Sequence, residues 1–417
     1  MVRRVLLLAP TTSYQVDDLR AAAARLGVDA LVGTDRCHVL AEDWPQGDVP
    51  LDFRDPERAA EQVLAAAAPR GLDGVVATDE VTALIAGLVA ARAGLRHAGP
   101  AAALAAADKR RFREAARAAG LPHPRYAIVA PGEDPAVAAG TIGYPVVLKP
   151  LHLSASRGVM RADDADELAA CAARLRRLLD DPAVAVRAAD PGAARHLLVE
   201  EFLPGPEVAL EGLLDGGRLH TLAIFDKPDP LDGPFFAETL YVTPSELPTA
   251  RQDAIATAVA DAARSIGLAE GPVHAELRLG AGAAVVIELA ARSIGGLCGR
   301  ALRFGAGISL EEVVIAHAVG IDPGALTRSG HPASGVAMLP VDRAGVLIAV
   351  NGVDEARTVS NVREVVISAR SGDVLVPLPE GHAYLGFIFA AGGSPAEVTA
   401  ALRSARARLD FAVAPRL

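Results

Sequence analysis

The chain has 417 residues, 51% of them hydrophobic but only 4% aromatic, and a formal net charge of −10 at pH 7. That length exceeds what one hydrophobic core serves and points to roughly two to four domains, with cores built mainly from Ala, Val and Leu. The acidic balance, with no long basic stripe, argues against nucleic acid or an anionic membrane as partner and leaves small solutes.

The basic residues are unevenly chosen. Lysine stands only at Lys109, Lys149 and Lys227, and the other 38 of the 41 cations are arginine. A compact ammonium can sit against a single phosphate oxygen as a point charge, where a guanidinium offers a planar fork. The three lysines are therefore the first candidates for chemistry, against the alternative of a purely compositional bias. Cys37, Cys171 and Cys298 are far apart and lack metal-binding spacing, so free thiols and a cytoplasmic setting are expected. Met1 to Ala9 mimics a signal peptide, but its apolar run is too short and Pro10 interrupts it. No segment is long and apolar enough to span a bilayer.

In chain order, Val5 to Ala9 reads as a buried strand, Val16 to Leu26 as a helix and Ala30 to Val32 as a second strand, a rhythm resumed at Gly74 to Ala77 and Val81 to Ala93. This is a small α/β layer without the G-x-G-x-x-G dinucleotide fingerprint. Asp108 can cap a helix that runs to Gly120, crowding Lys109, Arg110, Arg111 and Arg113 into its first turn, where a bound anion would relieve their repulsion. The alternative starts the helix earlier, at the Ala-rich run from Ala101, and makes the cluster a solvated face.

Tyr144 to Pro150 (YPVVLKP) is a short strand with Lys149 near its end. The following LHLSASRGV segment, with Ser154, Ala155, Ser156 and Gly158, suits a flexible cover whose amides approach an anion, although it lacks Walker spacing. A helix is expected from about Asp163 to Leu179. His196 to Phe202 is a further strand, followed by a hinge at Leu203 to Pro206. Glu207 to Leu214 and Arg218 to Phe225 form a hairpin turned at Asp215, Gly216 and Gly217.

A second hairpin spans HAELRLGAGAAVVIELAAR. If it is symmetric about Gly282, Glu276 faces Glu288 on one side of the sheet. Like charges so placed repel, and their apolar neighbours add partial burial, so a shared proton or a cation must compensate. Magnesium held between carboxylates and nucleotide phosphates would do so; the alternative is a solvated surface face. Alternation carries the same face on to Ala290 and Arg292, and Gly295 and Gly296 allow close backbone approach. His274 and Cys298 sit nearby and read as a satisfied histidine and a small buried thiol. Ser309 with Glu312 is a capping box for a helix through His317. Strands are expected at Gly335 to Leu339, Gly345 to Ala349, Val362 to Ile367 and Tyr384 to Ala391, and Ser394, Pro395 and Glu397 open a final helix.

These motifs together resemble the ATP-grasp superfamily, and within it the amino-acid ligase branch of ATP-dependent carboxylate–amine ligases, over Lys109 to about Ala318. The resemblance implies an α/β and α+β chain with the ATP-grasp fold. Its expected parts are an N-terminal Rossmann-like (pre-ATP-grasp) domain at 1–107, a small subdomain with linker helix at 108–205, a large subdomain at 206–325 and a C-terminal α+β domain at 326–417. It implies nucleotide phosphates on Lys109 and Lys149, a mobile cover bearing Ser154, Ser156 and Gly158, an adenine hinge at Glu200, Glu201, Phe202 and Leu203, and ribose on Glu207. Magnesium, as two ions or with Mn2+ in its place, falls to Glu276, Glu288 and Glu238. Arg292 and Glu238 carry the catalytic roles, while Lys227 is a less certain anion contact. Ala290 stands where many ATP-grasp enzymes have asparagine, which makes the metal shell differ; E-x-A-A-R is similar to the amino-acid ligase version.

The implied reaction converts a carboxylate to an acyl phosphate that an amine attacks, forming a dipeptide-type amide and releasing ADP and phosphate. Alternatives on the same scaffold are a bicarbonate-using or thiol-accepting ligase and a non-catalytic nucleotide-binding regulator. Small amino acids or related carboxylates and amines are the expected partners, and a homodimer is a family-level expectation. Specificity is expected from the walls at Asp226 to Pro244, the Ser293 to Arg300 turn and the C-terminal domain.

Overall fold

Short runs of Val and Leu bounded by turns build the first layer. In the computed structural model, which describes residues 2–35, 48–185, 193–280 and 282–416, the strands Arg4–Leu8, Asp29–Thr34, Asp48–Pro50 and Gly74–Ala77 form an all-parallel sheet, with Arg4–Leu8 central. Val5 to Leu8 are no more than 1% exposed, as a strand covered on both faces requires. Cys37 lies outside the described residues, and Cys171 and Cys298 are free thiols.

Both expectations for the Ala-rich stretch are partly met. Pro100–Ala107 is a helix of its own, Asp108 breaks it in extended conformation, and the same Asp108 caps Lys109–Ala118 by accepting from the Arg110 and Arg111 amides. The cation cluster at that helix start is largely neutralised inside the protein. Arg110 pairs with Glu114 and Arg111 with Asp108, and Arg113, fully buried, is bonded to Glu200. Lys109, also buried, lies 3.6 Å from Glu288 of the acidic hairpin.

The small subdomain is an antiparallel sheet in the order Tyr126–Val129, Leu197–Glu201, Val146–Pro150, Met160–Ala162, backed by the helices Pro135–Ile142 and Ala165–Leu179. The large sheet has eight strands. Its order is Ala284–Ala290, Gly271–Leu279, Glu207–Asp215, Arg218–Asp226, Leu240–Thr243, Ala333–Pro340, Tyr384–Gly392 and Val362–Ile367. It therefore runs straight through the boundary expected at residue 326, because Leu240–Thr243 pairs with Ala333–Pro340 over four residues. One face packs on the N-terminal layer through Phe225, Phe304 and Phe387, and the helix Thr249–Ser265 covers the other face of the acidic hairpin. The helix Pro395–Arg406, capped by Ser394, packs on the C-terminal strands. It is followed by one more strand, Asp410–Ala414, which pairs with Gly345–Asn351.

Candidate active site

A cleft opens between the two antiparallel sheets, and many of the sequence candidates line it from widely separated parts of the chain, while Lys109, Ser154, Gly158, Lys227 and Arg292 are not among its lining residues. Its lining includes Lys149, Ser156, Glu200 to Leu203, Glu207, Glu238, Glu276 and Glu288.

The acidic hairpin supplies one wall. Glu276 and Glu288 are direct register partners, and a one-residue irregularity just beyond them makes Leu277 face Val286. The two carboxylates then diverge. Glu276 joins Glu207 and Glu238, the three oxygens lying within 4.8 Å of one another, whereas Glu288 is more open and stands 3.6 Å from Lys109 Nζ. Lys227 fills the centre of the first group: its buried ammonium donates to Glu207 at 2.6 Å and Glu238 at 2.9 Å and lies 3.4 Å from Glu276. Tyr241 closes that pocket, its ring 4.9 Å from the ammonium and its hydroxyl donating to Glu276.

One ammonium does not neutralise three carboxylates. Burial, then the neighbouring Glu276 and Glu207, push the Glu238 carboxyl up despite the pull of Lys227. Glu276 goes the other way, because Lys227 and His274 outweigh its burial and hold it low. Arg278 on Glu207 and His274 beside Glu276 add to the charge of Lys227, and it is the all-oxygen donor set of Glu207, Glu238 and Glu276 that fits a hard divalent cation such as magnesium. His274 is satisfied from behind, with Nδ1 3.1 Å from buried Glu211, which also accepts from the Ile294 amide. Burial opposes charge on that imidazole, but Glu211 and Glu276 outweigh it and hold it up at about 9.

The opposite wall carries the cations. Lys149 is the next-to-last residue of the strand Val146–Pro150 and lies 2.7 Å from Glu200 Oε2, while Arg113 bonds the other oxygen of the same carboxylate. Burial would raise Glu200, yet these two cations hold it down to about 2. Glu200 is 1% exposed and fully engaged, so its carboxylate braces Lys149. Glu201 instead pairs with Arg125 at the cleft rim, and Phe202 lies under Arg161 and Arg278. Lys109 Nζ donates to the Leu153 carbonyl at 2.7 Å, tying its helix to the cover segment.

That cover turns sharply, with Ala155, Ser156 and Gly158 all at positive φ. Of Ser154, Ser156 and Gly158, Ser156 lines the cleft. Gly158 lies behind it, its amide donating to the Pro379 carbonyl at 2.8 Å, and Arg157 donates to the Glu380 carbonyl at 2.7 Å. The C-terminal segment thus holds the cover from outside. Arg292 lies just past the strand Ala284–Ala290 and is anchored by Glu80, at the start of helix Glu80–Ala93 in the N-terminal layer, at 2.5 Å.

Two contributors, Arg278 and Glu80, are absent from the sequence candidates, and Arg113, read there as part of an anion-binding cluster, has a different role. Arg278, two residues beyond Glu276, bonds Glu207 at 2.8 Å, and strand alternation could have found it. Arg113 and Glu80 act through partners 87 and 212 residues away, and no local pattern marks them.

The comparisons agree with this geometry. Residues 20–95 match the ATP-grasp N-terminal domain, 142–301 the ATP-grasp domain and 337–414 the L-amino acid ligase C-terminal domain 2. Alanine–anticapsin ligase of Bacillus subtilis strain 168 is 30% identical over 245 residues, covering 55% of this chain and 50% of that protein. D-alanine–D-alanine ligase of Aromatoleum aromaticum is 31% identical over 171 residues, 40% of this chain and 50% of that protein. The chain therefore spans about half the length of these curated relatives. The crystal structure of an L-amino acid ligase from Bacillus licheniformis superposes with a TM-score of 0.83 at 25% identity, covering 99% of both chains. In sequence and in three-dimensional build, the chain belongs to the ATP-grasp family, on its L-amino acid ligase-like branch.

Proposed function

We propose that the chain is an ATP-dependent, ADP-forming carboxylate–amine ligase that joins two amino acids, or an amino acid and another carboxylate, through an amide bond. One observation carries this reading: a single cleft is lined by Lys149 with its Glu200 brace, by the Glu201–Leu203 hinge, and by the acids Glu207, Glu238, Glu276 and Glu288. Lysine ammoniums and carboxylates lining one cleft are what a triphosphate and its counter-ions require.

In this reading Lys109 and Lys149 hold phosphate oxygens, and the backbone of 200–203 with the side chains of Phe202 and Leu203 holds adenine. Glu207 holds ribose, and Ser156 and Gly158 belong to the cover. Glu276, Glu288 and Glu238 would hold magnesium, as two ions or with Mn2+ substituting. The metal, when bound, supplies charge neutralisation at the transferred phosphoryl group. Lys227 sits among three of these acids and keeps them compact.

The substrate carboxylate oxygen attacks the γ-phosphorus of ATP, and the bond to the ADP oxygen breaks. The amine then attacks the acyl carbon, phosphate leaves, and the amine loses a proton. Arg292, aimed by Glu80, steadies the developing negative charge at the acyl phosphate. The cover over Ser156 excludes water that would hydrolyse the intermediate. The test is a screen of paired amino acids with ATP and magnesium, recording ADP together with product mass. ADP formation with a condensed product is expected. ADP formation that requires bicarbonate or a thiol, or no turnover with any pair, would overturn the proposal.

A further inference from the structure

We propose a second metal site, for a transition-metal dication such as Zn2+, formed by Asp215, Glu270 and His317 at the far end of the large subdomain. It lies outside the cleft. Asp215 is at the opposite end of strand Glu207–Asp215 from Glu207, about 26 Å away at a strand rise of about 3.3 Å per residue.

Three separate elements build it. Gly216 and Gly217, both at positive φ, turn the chain tightly after Asp215. The Gly216 amide donates to Glu270 Oε1 at 3.0 Å, which fixes that carboxylate and leaves Oε2 directed inward. His317, in the last turn of helix Leu310–Ala318, is 6% exposed and brings Nε2 to 3.4 Å from Glu270 Oε2. One ligand atom from each of the three residues lies within 4.8 Å of the others.

The second observation is what these atoms lack. Glu270 Oε2 and His317 Nε2 are both buried, and beyond their own 3.4 Å approach to one another neither has a hydrogen-bond partner. Such orphaned buried polar atoms are costly and call for a ligand. The cation now beside them is Arg96, which bonds Asp215 at 2.9 Å but is 3.9 Å from Glu270 Oε2 and turns an N–H toward His317 Nδ1 at 3.4 Å. A guanidinium so placed serves the aspartate and leaves the other two atoms with only one another. Arg96 is 44% exposed and follows a glycine-capped helix end, so it can withdraw into water.

A dication with one imidazole and two carboxylates is neutral overall, and one-nitrogen, two-oxygen donor sets suit zinc with water in the fourth position. Tetrahedral bonds of about 2.1 Å require each ligand atom to move by less than about 1 Å.

The test is calorimetric titration of the EDTA-stripped full chain with Zn2+, and with Co2+ followed by its visible absorption. The expected result is a zinc equivalent, in addition to any taken up by the cleft acids, that is lost, or weakened at least about a hundredfold, in His317→Gln and Asp215→Asn, and kept in His274→Gln, which reports on the cleft instead. Asp215 sits on an exposed turn, so its variant folds where a histidine variant fails. Arg96→Ala should tighten zinc binding several-fold, because the competing cation is gone. Absence of zinc binding by the wild-type chain, equal binding in all three variants, or weaker binding in Arg96→Ala would overturn the assignment.

Discussion

Replacing Glu200 with Gln would remove the carboxylate that holds Arg113 and Lys149 together, and its cost can be worked from the structure. The group is buried between two cations and held at about 2 instead of its ordinary 4.5. At about 1.4 kcal/mol for each pH unit, that depression corresponds to about 3 kcal/mol of folded-state stabilisation. The loss of one partner from a buried ion pair falls in the same range, about 3 to 5 kcal/mol, because the remaining charges stay desolvated. A lowered carboxyl contributes fully above its unfolded value, and the contribution fades as pH falls toward the folded one. Urea unfolding followed by circular dichroism should therefore separate wild type from Glu200→Gln by about 3 kcal/mol at pH 7, narrowing to under about 1 kcal/mol near pH 2.5. Because Glu200 also braces Lys149, the KM for ATP should rise alongside. A neutral-pH gap below about 1 kcal/mol, or one that stays constant as pH falls, would refute the brace.

Glu288→Ala should abolish ADP release at saturating ATP and magnesium while leaving the fold intact, since Glu288 is one of the more open acids of the cleft; near-normal turnover would remove it from the metal set. Lys149→Met should weaken ATP binding at least about tenfold in calorimetry with a smaller effect on stability, and equal affinity in both proteins would contradict its phosphate role. Glu80→Gln releases Arg292 and should lower kcat about tenfold or more with KM for ATP little changed, which steady-state ADP assays check. Gly205→Ala should cost about 2 kcal/mol or more in urea unfolding, because Gly205 has φ +114° and an added Cβ would lie 2.4 Å from the Leu279 carbonyl oxygen.

Much of the framework was readable because local signals are explicit. The capping box at Ser309 and Glu312 forms as expected, and Ser394 caps its helix by accepting from the Glu397 amide. Gly216 and Gly217 turn the first hairpin. The acidic hairpin is more instructive. Symmetry about Gly282 predicts Glu276 opposite Glu288, and that pair is present, but the strands close at Leu279 with Ala284 and an irregularity beyond Glu276 restores the register. The expectation met the structure through two departures that offset one another. What stayed hidden depends on distance along the chain. Four arginines and lysines at a helix start read as an anion site, yet Arg113 had a buried partner in Glu200, 87 residues on. The helix Thr249–Ser265 has Pro248 at its start with no side-chain cap, so no punctuation announced it. Arg292 appeared free on the hairpin because Glu80 belongs to another layer.

The strand Leu240–Thr243 belongs to two neighbourhoods at once: on one edge it is joined to Ala333–Pro340, and from its middle Tyr241 touches Lys227 and Glu276. The last ninety residues are consequently no interchangeable cassette. Cutting them away would bare a ready-made template for another molecule's backbone to zip onto, and grafting them from a cousin to change substrate preference would disturb the charge knot on the cleft floor before any pocket wall was altered.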